Sequence, residues 1–165
     1  MRKFNYWLLP LTWMGVIFYS SGQPYEEQDI KPMLADAIDL SFLVPLVDWV
    51  SFSYHKSEVS VNALGINGFI EFFVRKGAHV LVFSILMCLF FIALRKSTDV
   101  QFNVNIIISF FLTVAYAGLD EFHQGLTPNR TPYVGDVLLD SFGAGIAVCL
   151  IVLLYWKKSR AMDKN

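Results

Sequence analysis

Hydrophobic residues run along this chain in four long stretches that are separated by polar segments. Each stretch is close to the roughly 20 residues that a helix needs to cross a hydrocarbon core of about 30 Å. The pattern therefore predicts four transmembrane helices, over approximately Phe4–Ser21, Gly77–Leu94, Val104–Leu119 and Val137–Trp156. The first stretch has the basic start and apolar middle of a signal peptide, but it lacks a small-x-small cleavage site, so we interpret it as a retained helix.

The segment between the first two predicted helices, residues 22–74, is too long for a loop without structure of its own. Its centre, LADAIDLSFLVPLVDWVSFSY, mixes apolar and acidic residues. We predict that it forms one or two amphipathic helices that lie on, or re-enter, the outer membrane interface. They would act either as a lid over the helices, the interpretation we favour, or as a lipid-binding surface.

Composition supports a single all-α membrane domain over residues 1–165. Hydrophobic residues make up 55% of the chain and its mean hydropathy is +0.49, both high for a soluble domain. Cys88 and Cys149 lie within apolar stretches, so no disulfide framework or cysteine metal motif is indicated. A net charge of −1 gives no reason to expect a nucleic acid partner.

Basic residues beside the apolar stretches predict the orientation through the positive-inside rule. With a cytoplasmic N-terminus, the inner side holds eight basic residues and the outer side five. The inner residues also lie close to the helix ends, including those of the tail 157–165. Both termini are then cytoplasmic in a multi-pass plasma-membrane protein.

With this orientation, polar residues from all four predicted helices lie at the outer side. Arg75 and His79 are one helical turn apart, as are Asp136 and Asp140. The candidate set is Ser20, Ser21, Arg75, Lys76, His79, Asp120, Glu121, Gln124, Arg130, Asp136 and Asp140. Titratable groups inside spans usually face a bundle interior or a cavity, so a set at one depth predicts a functional site.

A purely structural role is the alternative for these residues. Arg130 would pair with Glu121 or Asp136, His79 would bond to Asp140, and the set would hold the helices together. The number of groups on several helices favours a site. Tyr116, at the end of the third stretch, we interpret as an interfacial aromatic residue.

The residue types indicate a ligand with an anionic headgroup. Arginine and lysine bind phosphate or carboxylate groups, which assigns Arg75, Lys76 and Arg130 to anion binding. Carboxylates would orient these cations or hold a divalent cation, a cofactor that the sequence leaves unknown. His79 would move a proton. The candidate catalytic groups are His79, Asp120, Glu121 and Asp136, and Ser20, Ser21, Gln124 and Asp140 would contribute to substrate binding.

The chain resembles the VanZ-like family of small bacterial membrane proteins, which is associated with teicoplanin resistance. The resemblance rests on FYSS before Gly22, KGAH ending at His79, DEFHQGLTPNR ending at Arg130, and GDVLLDSFGAG ending at Gly145. Residues that match the family pattern are Lys76, His79, Asp120, Glu121, Gln124, Pro128, Arg130, Asp136 and Gly143. Asp140 departs from the usual Asn, and Phe83 departs from a frequent Tyr.

The resemblance implies an outward-facing polar site at the bacterial cell envelope, and it does not name a reaction. Our leading hypothesis is a protein that binds, and also modifies if it is an enzyme, the anionic headgroup of a membrane lipid or lipid-linked envelope precursor. The alternative is a non-enzymatic shielding or accessory protein in which the polar cluster is structural. A small exporter is a third hypothesis, and it would need a polar track that continues inward past Gly143.

Overall fold

The computed structural model describes residues 4–128 and 130–162, most of which are helical. The chain forms two compact units, one from Met1–Gly22 with His79–Asn165 and one from Gln23–Ala78. The α-helices are α1 (Leu8–Ser21), α2 (Lys31–Ala37), α3 (Val44–Val47), α4 (Val61–Ser97), α5 (Phe102–Gln124) and α6 (Val134–Met162). Short 3-10 helices cover Phe4–Trp7, Tyr25–Gln28 and Leu40–Leu43, and two strands are β1 (Ser51–Tyr54) and β2 (Ser57–Ser60).

Three helices, α4, α5 and α6, are long and apolar enough to cross a membrane. They confirm three of the predicted spans, although each helix extends beyond its predicted bounds. α4 begins at Val61 and α5 ends at Gln124, so polar residues flanking the apolar runs are helical. α1 has 14 residues, fewer than the roughly 20 that a span requires, and the first predicted span, Phe4–Ser21, stays a prediction.

The first unit packs around apolar side chains contributed by α1, α4 and α5. Ile17, Phe83, Leu86 and Ala117 are buried in this core. Tyr116 is buried with them, and its hydroxyl donates to the carbonyl of Met14 at 2.6 Å. Tyr116 is therefore packed inside the bundle, as a phenol with a backbone acceptor can be, and its place at the membrane interface stays a prediction.

Gly143 sets how closely α6 approaches α4. A Cβ added at Gly143 would lie 3.0 Å from the carbonyl carbon and the Cα of Val80, and closer still to the carbonyl oxygen. The Ser84 hydroxyl lies 2.6 Å from the Gly143 carbonyl oxygen and 2.7 Å from that of Val80, so its proton is shared between the two helices. Only glycine lets the two backbones lie this close.

The second unit consists of short elements before α4. The predicted helical structure in residues 22–74 is present as α2, α3 and two 3-10 helices, while its position at a membrane interface stays a prediction. Residues 51–60 differ from the all-α prediction because β1 and β2 form an antiparallel hairpin. The alternating sequence favours strands, and His55 and Lys56 adopt the positive φ angles that a two-residue hairpin turn requires.

Gly65 interrupts the first turns of α4. Its φ of 68° and ψ of 166° lie outside the helical region, and glycine reaches positive φ without a steric penalty. The helix is regular beyond this break, which places the polar residues from Glu71 onward on continuous helical turns.

Candidate functional site

Polar side chains of the first unit gather where α5 ends and α6 begins. The best-defined pair joins two helices: Nδ1 of His79 on α4 lies 3.2 Å from Oδ1 of Asp140 on α6. Asp140 is 1% exposed, whereas the His79 side chain is 27% exposed. A partly accessible imidazole held by a buried carboxylate has a fixed orientation, which suits it to proton transfer.

A second series of contacts runs from the last turn of α5 into the connector, residues 125–133, which joins α5 to α6. Gln124 Nε2 donates to Oδ2 of Asp120 at 2.8 Å, and an Arg130 guanidinium N–H donates to Oε1 of Gln124 at 3.1 Å. Asp120 and Gln124 are one turn apart and both are buried. The amide of Gln124 thus links the two residues, because it donates to Asp120 and accepts from Arg130.

Glu121 fastens the connector to α5. Its Oε1 accepts a hydrogen bond from the backbone N–H of Tyr133 at 2.5 Å, one residue before α6 begins. At the other end of the connector, the backbone N–H of Thr127 donates to the carbonyl of Gln124 at 3.0 Å. Pro128 and Pro132 restrict the chain between these anchors. The connector that carries Arg130 is thus held at both ends.

Glu121 and Asp140 each lie within electrostatic reach of other titratable groups in this region. Glu121 interacts with Asp136, Asp140 and His79. Asp140 interacts with Asp120 and Asp136 in addition to His79. Asp136 lies in the first turn of α6, where the helix dipole favours a negative charge. We refer to His79, Asp120, Glu121, Gln124, Arg130, Asp136 and Asp140 as the acidic cluster.

Three carboxylates of the acidic cluster have a buried oxygen that receives no hydrogen bond from the described residues. These atoms are Oδ1 of Asp120, Oε2 of Glu121 and Oδ2 of Asp140. The residues are 3%, 6% and 1% exposed, respectively. Buried polar groups are almost always hydrogen-bonded in folded proteins, and these three acceptors are exceptions.

The remaining predicted site residues have other surroundings. Ser21 is buried, and its carbonyl accepts from the Thr127 hydroxyl at 3.5 Å, whereas Ser20 is exposed. In the second unit, Arg75 donates to Glu71 at 3.0 Å and to the Gln28 carbonyl at 2.6 Å.

Lys76 lies in the second unit as well, with its ammonium 4.5 Å from the Tyr54 ring centroid. A cation held over an aromatic ring is stabilised by the ring quadrupole. Gln28 and Glu71 are among the contacts of Arg75, and Tyr54 is among those of Lys76. An anion-binding role for these two cations stays a prediction.

The described part of the chain has no preformed metal site. No group of three or more His, Cys, Asp or Glu side chains there has a geometry that could hold a metal ion. The hard oxygen ligands that a divalent cation prefers are present in the acidic cluster, but they are not arranged around one point.

Glu71 and Ser84 are contact residues that were not predicted from the sequence. Glu71 is 2% exposed and binds Arg75, and its i, i+4 spacing from that arginine is a signal that could have identified it. Ser84 links α4 to α6, but a lone serine in an apolar helix carries no comparable signal.

The fold and the acidic cluster together define a class of protein: helices long and apolar enough to span a bilayer, with titratable groups buried between them. The sequence model of the VanZ/LLP1 family matches residues 6–155, and the chain belongs to that family. The match extends over both compact units. Comparisons with curated proteins and with solved structures returned no match.

Proposed function

We propose that this protein binds the anionic headgroup of a membrane lipid or lipid-linked envelope precursor in the acidic cluster. The observation that carries the proposal is the set of three buried carboxylate oxygens without a donor, beside Arg130 and His79. A network whose only role was to hold helices together would be expected to satisfy its members, because each unsatisfied buried acceptor costs about 1–3 kcal/mol. N–H or O–H groups of a bound headgroup would supply the missing donors, while Arg130 would contact its anionic group.

Arg130 is the residue that would contact the anion. Its planar guanidinium has five N–H donors that match phosphate oxygens, and Gln124 fixes its position through a 3.1 Å hydrogen bond. His79 and Asp140 supply a proton-transfer pair at 3.2 Å. The proposal is one of binding, and it assigns no bond-breaking step to these residues.

The distribution of basic residues and family membership support a location for this activity. We place the protein in the bacterial plasma membrane with both termini cytoplasmic and the acidic cluster on the extracytoplasmic side. Envelope precursors are accessible to glycopeptide antibiotics at that surface. Binding or occupying their headgroups would connect the acidic cluster to the teicoplanin resistance associated with VanZ-like proteins.

A structural role for the acidic cluster is the second candidate function. Two contacts favour it: the His79–Asp140 contact joins α4 to α6, and the Glu121–Tyr133 contact joins α5 to the connector. Under this view the protein is a shielding or accessory protein, and residues 23–78 carry its function.

Substitution of Arg130 and Asp136 separates the two candidates. Arg130→Gln and Asp136→Asn would be compared with Arg160→Gln, which removes an exposed cation near the end of α6. Each variant is scored for teicoplanin susceptibility in cells and for folded yield in detergent. Headgroup binding predicts lost protection at normal yield for the two cluster variants only. Lost yield in both cluster variants, or full protection at normal yield, would contradict the proposal.

A further inference from the structure

Polar side chains line the buried face of α5 from one end of the helix to the other. Successive members are three or four residues apart, so they lie on one face of the helix. The opposite face is apolar, with Phe111 67% and Phe122 68% exposed. The buried polar residues, which we call the α5 seam, are Asn105, Ser109, Thr113, Tyr116, Asp120 and Gln124.

The α5 seam is long enough to cross the hydrocarbon core of a bilayer. Asn105 and Gln124 are 19 residues apart in one helix, a distance of about 28 Å, and the core is about 30 Å thick. Asn105 lies near the start of α5, which begins at Phe102. Gln124 and Asp120, at the other end, belong to the acidic cluster. Polar groups therefore connect the acidic cluster to the far end of the span.

Adhesion between helices explains only part of the α5 seam. Asn105 Nδ2 donates to the Phe91 carbonyl of α4 at 3.3 Å, a contact that joins two helices. The Ser109 hydroxyl instead donates to Oδ1 of Asn105 at 3.2 Å, and the Thr113 hydroxyl donates to the Ser109 carbonyl at 2.8 Å, so both bonds lie within α5. Sδ of Met87 on α4 lies 3.9 Å from the Thr113 hydroxyl, but a thioether is a weak acceptor. Ser109 and Thr113 are 0% exposed, and alanine or valine would occupy these positions at a lower desolvation cost.

The residue types of the α5 seam suit a proton better than a larger solute. Hydroxyl groups both accept and donate hydrogen bonds, so Ser109, Thr113 and Tyr116 can each take up a proton and release another. Between Asn105 and Asp120 the sequence has no charged residue that would hold a metal ion or an organic ion. The exporter hypothesis requires a polar track of this kind, but these side chains favour proton transfer.

Asp120 supplies a proton acceptor where the α5 seam meets the acidic cluster. Its Oδ2 accepts from Gln124 at 2.8 Å, whereas its Oδ1 is buried and receives no hydrogen bond from the described residues. Tyr116, one turn away on α5, and Asp140 on α6 both lie within electrostatic reach of Asp120. Ionisable residues buried within spans commonly belong to proton pathways.

We propose that the α5 seam carries protons between the far end of the span and the acidic cluster. A proton enters from water beside Asn105 and passes to Ser109 and Thr113. It then passes by way of Tyr116 to Oδ1 of Asp120. Each hydroxyl oxygen gains one proton as it releases its own, and water molecules bridge successive turns, because a rise of about 6 Å exceeds the length of one hydrogen bond. The proposal goes beyond headgroup binding and does not depend on it.

Proton entry into liposomes tests this proposal on the purified, full-length protein. The liposomes contain the pH-sensitive dye pyranine, and a potassium gradient with valinomycin makes their interior negative. Acidification of the interior then reports proton flux. Thr113→Val removes a hydroxyl in the middle of the α5 seam with little change of shape, and Asp120→Asn removes the terminal acceptor. Ser141→Ala serves as the control, because its hydroxyl bonds within α6 and lies outside the α5 seam.

We expect the unaltered protein and Ser141→Ala to acidify liposomes faster than protein-free liposomes acidify. Thr113→Val and Asp120→Asn should lose most of that flux at an equal amount of reconstituted protein. Ser109→Ala replaces Thr113→Val if the valine variant reconstitutes poorly.

Three outcomes would overturn the proposal. The first is a flux from the unaltered protein that does not exceed that of protein-free liposomes. The second is an unchanged flux in Thr113→Val or in Asp120→Asn. The third is an equal loss of flux in Ser141→Ala, because the effect would then not be specific to the α5 seam.

Discussion

Replacement of Gly143 by alanine tests the close approach of α4 and α6 that positions the acidic cluster. The new Cβ would lie 3.0 Å from the carbonyl carbon and the Cα of Val80, and closer still to its oxygen, whereas ordinary contacts begin near 3.4 Å. The obstacle is a helix backbone and not a movable side chain. Relief therefore requires α6 to shift away from α4, which would also weaken the 2.6 Å contact between Ser84 and the Gly143 carbonyl.

The expected cost follows from two opposing effects. Overpacking of this kind costs about 1–3 kcal/mol, and a rigid obstacle places Gly143→Ala near the upper end. Exchange of glycine for alanine within a helix stabilises the folded state by about 1 kcal/mol through helix propensity. The net loss in the free energy of unfolding is therefore about 2 kcal/mol.

Gly145→Ala is the matched control, because a Cβ added at Gly145 meets nothing within 4 Å. This variant should gain up to about 1 kcal/mol from helix propensity. The two alanine variants should then differ by about 3 kcal/mol, or roughly 6–12 °C in melting temperature for a chain of this size. Thermal unfolding in detergent, followed by the folded fraction in size-exclusion chromatography, measures the difference. Equal melting temperatures for the two variants would refute the close contact.

Three further predictions concern the helix contacts and the second unit. Ser84→Ala should lower the free energy of unfolding by about 1 kcal/mol through loss of a contact between helices. Ser141→Ala, which removes a bond within α6 only, should change it less. Tyr116→Phe should lower the free energy of unfolding by about 1 kcal/mol, because the hydroxyl donates a hydrogen bond to the Met14 carbonyl of α1. It should leave binding of the anionic lipid phosphatidylglycerol unchanged. Trp49 is 79% exposed, and amphipathic segments place tryptophan at the membrane interface. In a variant that retains Trp49 as the sole tryptophan, its emission should be blue-shifted and quenched by brominated lipids.

Clear outcomes would contradict each of these predictions. Equal unfolding free energies for Ser84→Ala and Ser141→Ala would mean that the serine contact between helices contributes nothing. Impaired lipid binding in Tyr116→Phe would place that residue in the site. Water-like emission from Trp49 in lipid vesicles would mean that this part of residues 22–74 does not contact the membrane.

The apolar helices could be predicted from the sequence because length and hydropathy alone determine whether a segment can cross a bilayer. Their bounds could not. Arg75 and Lys76 interrupt the apolar run, which placed the predicted start at Gly77, yet the helix begins at Val61. Within it, Arg75 and Lys31 pair with the buried carboxylate of Glu71. Hydropathy reads a paired charge and an unpaired charge in the same way.

The acidic cluster could be predicted in part, from the spacing of its residues. The i, i+4 spacing of Asp136 and Asp140, and the position of Glu121 before a turn, were visible as sequence patterns. The partners of each residue depend on packing between helices. The structural alternative predicted a His79–Asp140 contact, which is present, whereas the described Arg130 contact within the cluster is with Gln124.

Backbone contacts lay beyond the reach of sequence patterns altogether. Glu121 binds the N–H of Tyr133, and Gly143 faces the carbonyl of Val80. A main-chain partner has no residue type that a pattern could detect. The hairpin at residues 51–60 was missed for a different reason, since each strand has four residues and the first lies at the end of the segment that was predicted to be helical.

Retention of an anionic lipid by the purified protein tests the central claim most directly. The unaltered protein, Arg130→Gln and the control Arg160→Gln would be taken from vesicles of phosphatidylglycerol and phosphatidylcholine in equal amounts, and bound lipid would be counted by native mass spectrometry. Headgroup binding in the acidic cluster predicts that phosphatidylglycerol is retained by the unaltered protein and by Arg160→Gln, and is largely lost from Arg130→Gln. Equal retention by all three proteins would contradict the account.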